Sequence, residues 1–173
     1  YFDAALYASS HNLMLGTSPT EFSPNITMTR GMLVTVLYRM NGSPSVSGKT
    51  PFTDVRTDEW YSAAVLWAYQ NGIVTGMSDT TFAPINNVTR EQMATILFRY
   101  TKTAAPDKAK ASADLSGFAD AGSVNDWAVD AMRWAVGQKL IAGITLEQSV
   151  YLQPRGNATR AQAATVLTRY YAQ

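Results

Sequence analysis

The stretch VTREQMATILFRY, residues 88–100, decides how the chain is read. Thr89 is a helix N-cap residue by type, and Met93, Ile96, Leu97 and Tyr100 then recur at the spacing of one helical face. Arg90 falls in the first turn, where the helix dipole disfavours an exposed cation by about 0.3–1 kcal/mol. The same arrangement returns as MTRGMLVTVLYRM at residues 28–40 and as ATRAQAATVLTRY at residues 158–170. One arginine at a helix start carries little information. Three in equivalent places call for a compensating anion.

The surrounding sequence repeats as well. A shift of sixty lays residues 1–40 on residues 61–100 without a gap, matching Tyr1 with Tyr61, Ala4 with Ala64, Gly16 with Gly76, Phe22 with Phe82 and Pro24 with Pro84. A third copy follows: FTDV at 52–55 and EWYSAAVLWA at 59–68 become FADA at 118–121 and DWAVDAMRWA at 126–135. Gly143 then corresponds to Gly76, with about three extra residues before Thr159-Arg160. Repeats are expected at residues 1–41, 52–101 and 118–173, joined by polar linkers at 42–51 and 102–117. The first lacks the Phe-x-Asp…Trp opening, so the chain is expected to start inside a repeat.

Each repeat reads as helix, loop, helix. Trp60, Ala64, Trp67 and Ala68 recur at helical spacing, as do Trp127, Ala131, Trp134 and Ala135, and Gly72 is a plausible C-terminal stop. The loop GIVTGMSDTTFAPINN, residues 72–87, is rich in turn formers. No unit of this size buries both its helices alone, so the three are expected to pack together.

Composition narrows the function. Apolar residues make up 46% and charged residues 16%, which marks a globular chain. With 14 Lys plus Arg against 13 Asp plus Glu, bulk charge gives no reason to expect nucleic acid as a partner. Cysteine is absent and His11 is the one histidine, which removes thiol chemistry and the usual metal sites. No apolar run reaches the ~20 residues of a membrane span. No serine lies in a nucleophile-elbow context, no phosphate loop is present, and no cofactor or catalytic site is expected.

Two readings of the arginines compete. Free first-turn amides, the dipole and a guanidinium fork make a favourable carboxylate or phosphate site. Alternatively, Asp54 and Asp120 in the Phe-x-Asp segments tie the arginines up in structural ion pairs, leaving a protein-interaction or self-assembly module.

The pattern F-x-D…W…A…W-A…G-I-V-x-G…F-x-P…T-R followed by an apolar helix resembles the S-layer homology repeat, over essentially the whole chain apart from the linkers. The resemblance implies an all-α, pseudo-threefold bundle of three helix-loop-helix repeats with grooves between neighbours. It implies non-covalent attachment of a larger protein, outside the cell, to a secondary cell-wall polysaccharide ending in an acidic, pyruvylated amino sugar. By that resemblance Arg30, Arg90 and Arg160 would grip the carboxylate, Thr29, Thr89 and Thr159 would cap their helices and add hydroxyl contacts, and Gly16, Gly76 and Gly143 would let a sugar approach the backbone. Trp60 and Trp127 would face the sugar ring, and Asp54 and Asp120 would orient an arginine or cap a turn, with contacts to sugar hydroxyls also open to them as part of the ligand-binding set. Structural readings stand beside these: the glycines as turn residues and the tryptophans as core. The sequence also departs from the family. Met32, Gln92 and Gln162 stand where an acid is frequent, and Leu152 replaces a phenylalanine, so unequal grooves are expected, the best drawing on the second repeat.

Overall fold

The computed structural model describes residues 2–18 and 20–172; Tyr1, paired with Tyr61 in the repeat alignment, and Pro19 lie outside the described residues. Helices α1 (Phe2–Ser10) and α2 (Arg30–Met40) form the first repeat, α3 (Ser62–Gln70) and α4 (Arg90–Ala104) the second, and α5 (Val129–Gly137) and α6 (Arg160–Tyr171) the third. Thr29, Thr89 and Thr159 are extended N-caps whose hydroxyl oxygens accept from the amides of Met32, Gln92 and Gln162. Gln92 and Gln162 return the bond to their N-cap amides, closing capping boxes. Met32 lacks the acceptor, so α2 has the hydroxyl cap alone. At the other end of the first helices, Asn12, Gly72 and Lys139 occupy equivalent left-handed positions at φ 54°, 67° and 58°.

Trp60 and Trp127 precede the first helices rather than opening them: α3 begins at Ser62, and Trp127 lies in a 3-10 turn, Asp126–Ala128. The helical spacing holds only for Ala64, Trp67, Ala68 and their counterparts, which are buried.

Pairing runs between repeats. α3 packs on α2, α5 on α4, and α1 on α6, so each second helix takes the first helix of the next repeat and the last pair closes the circle. The cause is visible where the second helices begin. The Met28 amide donates to Ala158 O at 2.8 Å, the Ala158 amide to Val88 O at 2.9 Å, and the Val88 amide to Met28 O at 2.9 Å. All three residues are fully buried, and a buried amide must be paired. Each repeat therefore satisfies its innermost backbone only with the other two in place.

One expectation needs correction. The fold is mostly helical but not wholly so: β1 (Ile144–Leu146) and β2 (Ser149–Tyr151) form an antiparallel hairpin in the third repeat. The longer loop there gives room for a turn, with Glu147 at φ 54°, and supplies β-branched Ile144, Thr145 and Val150. The linker at 102–117 is also structured, since α4 continues to Ala104, Pro106–Lys110 forms a 3-10 turn, and Trp134 donates its indole N–H to Lys108 O at 2.9 Å.

Candidate functional site

The arginines are buried, with Arg30, Arg90 and Arg160 only 5%, 6% and 5% exposed, yet their partners are not the expected ones. Each Nε crosses to a backbone carbonyl of another repeat: Arg30 to Phe82 O at 2.9 Å, Arg90 to Leu152 O at 2.7 Å, and Arg160 to Phe22 O at 2.9 Å. Among the described residues the only ion pairs are Arg56–Asp58 and Lys110–Asp107, so the aspartate pairing proposed for these arginines is not formed. Nor are the first helical amides free. Arg30, Arg90 and Arg160 N–H donate to Asn86 O, Gly156 O and Ile26 O, and the next residue's amide donates to Pro84, Pro154 or Pro24 O. The helix starts are thus consumed by repeat-to-repeat bonding, and their amides are not free to hold an anion.

Asp54 and Asp120 serve the acceptors of those arginines. Asp54 accepts from the amides of Phe82 and Ala83 at 2.9 and 2.7 Å, and Asp120 from those of Leu152 and Gln153 at 2.7 and 2.8 Å. Ala83 and Gln153 sit at φ 59° and 49°, a conformation costly for a non-glycine residue. The carboxylate holds that turn and so aims the Phe82 or Leu152 carbonyl at the guanidinium. The aspartates' hydrogen bonds thus go to turn amides and not to the arginines themselves.

The outer guanidinium nitrogens of Arg30 and Arg90 have no hydrogen-bond partner among the described residues, and no buried side-chain nitrogen or oxygen lacks one. These nitrogens therefore reach solvent. Arg160 differs, because its Nη2 also donates to Leu15 O at 2.6 Å. Burial pushes the Arg30 guanidinium down to about 10, against the opposing pull of Asp54, so it remains a cation at neutral pH. Burial lowers Arg90 and Arg160 too, with Asp120 opposing it at Arg90.

Arg30 opens into a groove of about 340 Å³ that joins all three repeats: Gly76, Gln92, Thr95 and Arg99 come from the second and Trp127 from the third. A matching groove of about 210 Å³ combines Arg160 with Gly16, Met32, Thr35, Arg39 and Trp60. Each holds two arginines and no lining carboxylate. Trp60 and Trp127 are 57% and 54% exposed, which removes the core reading for both; Trp67 and Trp134, farther along the chain and within the helices, are the core pair. Arg90 makes the equivalent reach into the third repeat.

The glycines have a structural task. A Cβ on Gly76 would lie 2.5 Å from Phe52 Cε1 and 2.6 Å from Ser78 O, and one on Gly143 would lie 2.6 Å from Val150 Cγ1. Both have positive φ, whereas Gly16 does not, although its Cβ would meet Ser18 O at 2.5 Å. Gly16 and Gly76 also line the grooves. The threonine hydroxyls are engaged as caps.

Sequence reasoning passed over the second arginine of the groove. Arg39, Arg99 and Arg169 recur at the same step as the Thr-Arg pair, and that repetition was the available signal. Arg99 leans on Thr75 Oγ1 at 3.3 Å, leaving charge beside Arg30 in the larger groove.

A family profile described as the S-layer homology domain matches residues 51–94 and 117–164, more than half of the chain. The chain belongs to the S-layer homology family. The matched segments fall in the second and third repeats, while the first shows the same N-cap and arginine-to-carbonyl bonds. An endoglucanase of Bacillus sp. (strain KSM-635) is 34% identical over 156 residues, covering 90% of this chain and 16% of that protein. The surface-layer 125 kDa protein of Lysinibacillus sphaericus is 32% identical over 89% of this chain and 12% of its own length. An amylopullulanase of Thermoanaerobacterium thermosulfurigenes is 29% identical over 92% of this chain and 8% of its own length. The chain thus spans a small fraction of these relatives, and what it shares with the enzymes among them is the S-layer homology region, a non-catalytic anchoring module. Such modules bind cell-wall polymers and occur in larger surface proteins, which places this one at the cell surface in association with the wall. No described helix is long and apolar enough to cross a membrane.

Proposed function

We propose that this S-layer homology module anchors a larger surface protein by holding an anionic, pyruvylated secondary cell-wall polysaccharide in grooves between repeats arranged about a pseudo-threefold axis. The observation that carries the reading is Arg30 in the Trp127 groove. Its Nε is fixed on Phe82 O, its two outer nitrogens face solvent, and Arg99 adds a second cation where no acid lines the wall. Two parallel N–H groups suit a carboxylate, and the half-exposed indole of Trp127 offers an apolar face to a sugar ring. The Trp60 groove is smaller and spends one Arg160 nitrogen on Leu15 O, so it is the weaker site. By the repeat correspondence, Arg90 with Gly143 and Thr159 would furnish a third. The attached cargo, catalytic in some relatives by name and surface-forming in others, lies outside the shared region.

The test is titration of the chain with a pyruvylated N-acetylamino sugar and with the same sugar stripped of its ketal, together with retention on purified cell wall. Binding should require the ketal and should drop in Arg30→Ala. Equal binding of both sugars, or wall retention untouched in a folded Arg30→Ala protein, would overturn the proposal.

A further inference from the structure

The two tryptophan-bearing grooves differ in how the tryptophan is held. Glu91 is 3% exposed, at the second position of α4. Both its carboxylate oxygens are used on the next repeat: Oε2 accepts from the Asn125 backbone amide at 3.0 Å and Oε1 from the Asn125 side-chain amide. Asn125 lies two residues before Trp127, at the start of its 3-10 turn. The helix that forms the groove wall through Gln92, Thr95 and Arg99 thus also grips the loop that lays Trp127 across it.

At the Trp60 groove the corresponding helix residue is Gly31, which has no side chain to reach across. The residue matching Asn125 is Asp58, which pairs with Arg56 at 2.9 Å on the exposed surface, with the two side chains 66% and 70% exposed. Such a pair contributes little to order. Ala161 fills the same helix place in the third repeat. A buried carboxylate is retained only where both oxygens are satisfied, and here both are spent on a single loop.

We infer that Glu91 is a positioning residue that pre-orders Trp127, through Asn125, and so makes the groove between Arg30 and Trp127 the higher-affinity sugar site. The inference rests on the anchoring reading for its ligand but not for its first readout. Ordering one large side chain in advance avoids that cost on binding, so its loss should weaken affinity by roughly 3–10-fold.

The experiment uses the whole chain with 15N-labelled indoles, their resonances assigned by Trp→Phe variants. In Glu91→Ala, without ligand, the Trp127 indole signal should shift and broaden while that of Trp60 stays in place. On titration with the pyruvylated N-acetylamino sugar, affinity read at Trp127 should fall and affinity read at Trp60 should not. Asn125→Ala, which keeps the backbone bond and removes the side-chain one, should give the same pattern at smaller size. Ala161 shows that alanine suits this helix position, so the variant is expected to fold. A Trp127 signal unchanged in Glu91→Ala, or a uniform change at all four indoles, would overturn the inference in favour of a purely structural carboxylate. If the wild-type chain binds no sugar, the anchoring reading falls, and the ligand-free indole spectra still decide whether Glu91 orders Trp127.

Discussion

Arg30→Lys separates the shape of the guanidinium from its charge. In the native chain one side chain does two things at once: Nε bonds Phe82 O at 2.9 Å, and the outer nitrogens open into the groove. A lysine has one ammonium and cannot do both. If it turns to Phe82 O, the groove loses a bidentate cation; if it turns outward, a charge-assisted bond worth about 1.5–3 kcal/mol is lost from a buried site. The cation also stands 4.7 Å from the Phe82 ring centroid, a contact that an ammonium retains in part. Exchanging a bidentate contact for a point charge at about 2 kcal/mol weakens the sugar about 30-fold. Stability should fall by about 1–2 kcal/mol, or roughly 2–8 °C in Tm for a chain of this length. Arg160→Lys is the control. Arg160 makes two internal bonds, to Phe22 O and Leu15 O, so its replacement should cost more stability and less binding. Calorimetric titration and thermal circular dichroism read the two quantities separately. Wild-type affinity in Arg30→Lys, or a larger binding loss in Arg160→Lys, would refute the division of labour within the guanidinium.

Other expectations follow from the same contacts. Asp54→Ala frees the Phe82 and Ala83 amides and the left-handed turn they stabilise; because the site is half-buried and water can enter, the loss should be about 2–3 kcal/mol by urea denaturation, and a value below about 0.5 kcal/mol would mean that water replaces the carboxylate. Gly76→Ala and Gly72→Ala both place alanine at positive φ, but only the former meets atoms, so Gly76→Ala should cost about 2–4 kcal/mol and Gly72→Ala about 1 kcal/mol; equal costs would show that the turn relaxes freely. Burial raises the hydroxyl pKa values of Tyr100 and Tyr170 above the ordinary 10.0. The unfolded chain gives up these protons first, so their stabilisation is complete below pH 10.0 and is lost as pH rises beyond it, which an alkaline series of denaturation midpoints would register. Over that same interval Arg30, lowered to about 10, begins to lose its proton, so sugar affinity should also decline there while remaining flat near neutrality.

Much was legible in the residues alone because it is governed by neighbours three or four positions apart. A threonine capping the amide three residues on and an apolar face at helical spacing are local events, and they fixed α2, α4 and α6 together with the repeat step; the left-handed stop at Gly72 after α3 is local too. The short hairpin was not legible, because Ile144, Thr145 and Val150 pair only once the longer loop folds back on itself. The two classes of tryptophan were not separable either: Trp60 and Trp67 look alike on a helical wheel, but the helix starts at Ser62, and Trp60, which lies before it, faces outward.

The sequence by itself determined that arginines recur where a helix dipole opposes them. Only the tertiary structure decided how that conflict is resolved. Arg30, Arg90 and Arg160 find their carbonyls 52, 62 and 138 residues away, and the helix-start amides are taken by neighbouring repeats before any ligand arrives. Such partners are brought together by burying three apolar faces and closing a ring of backbone bonds, a global balance that no local pattern encodes.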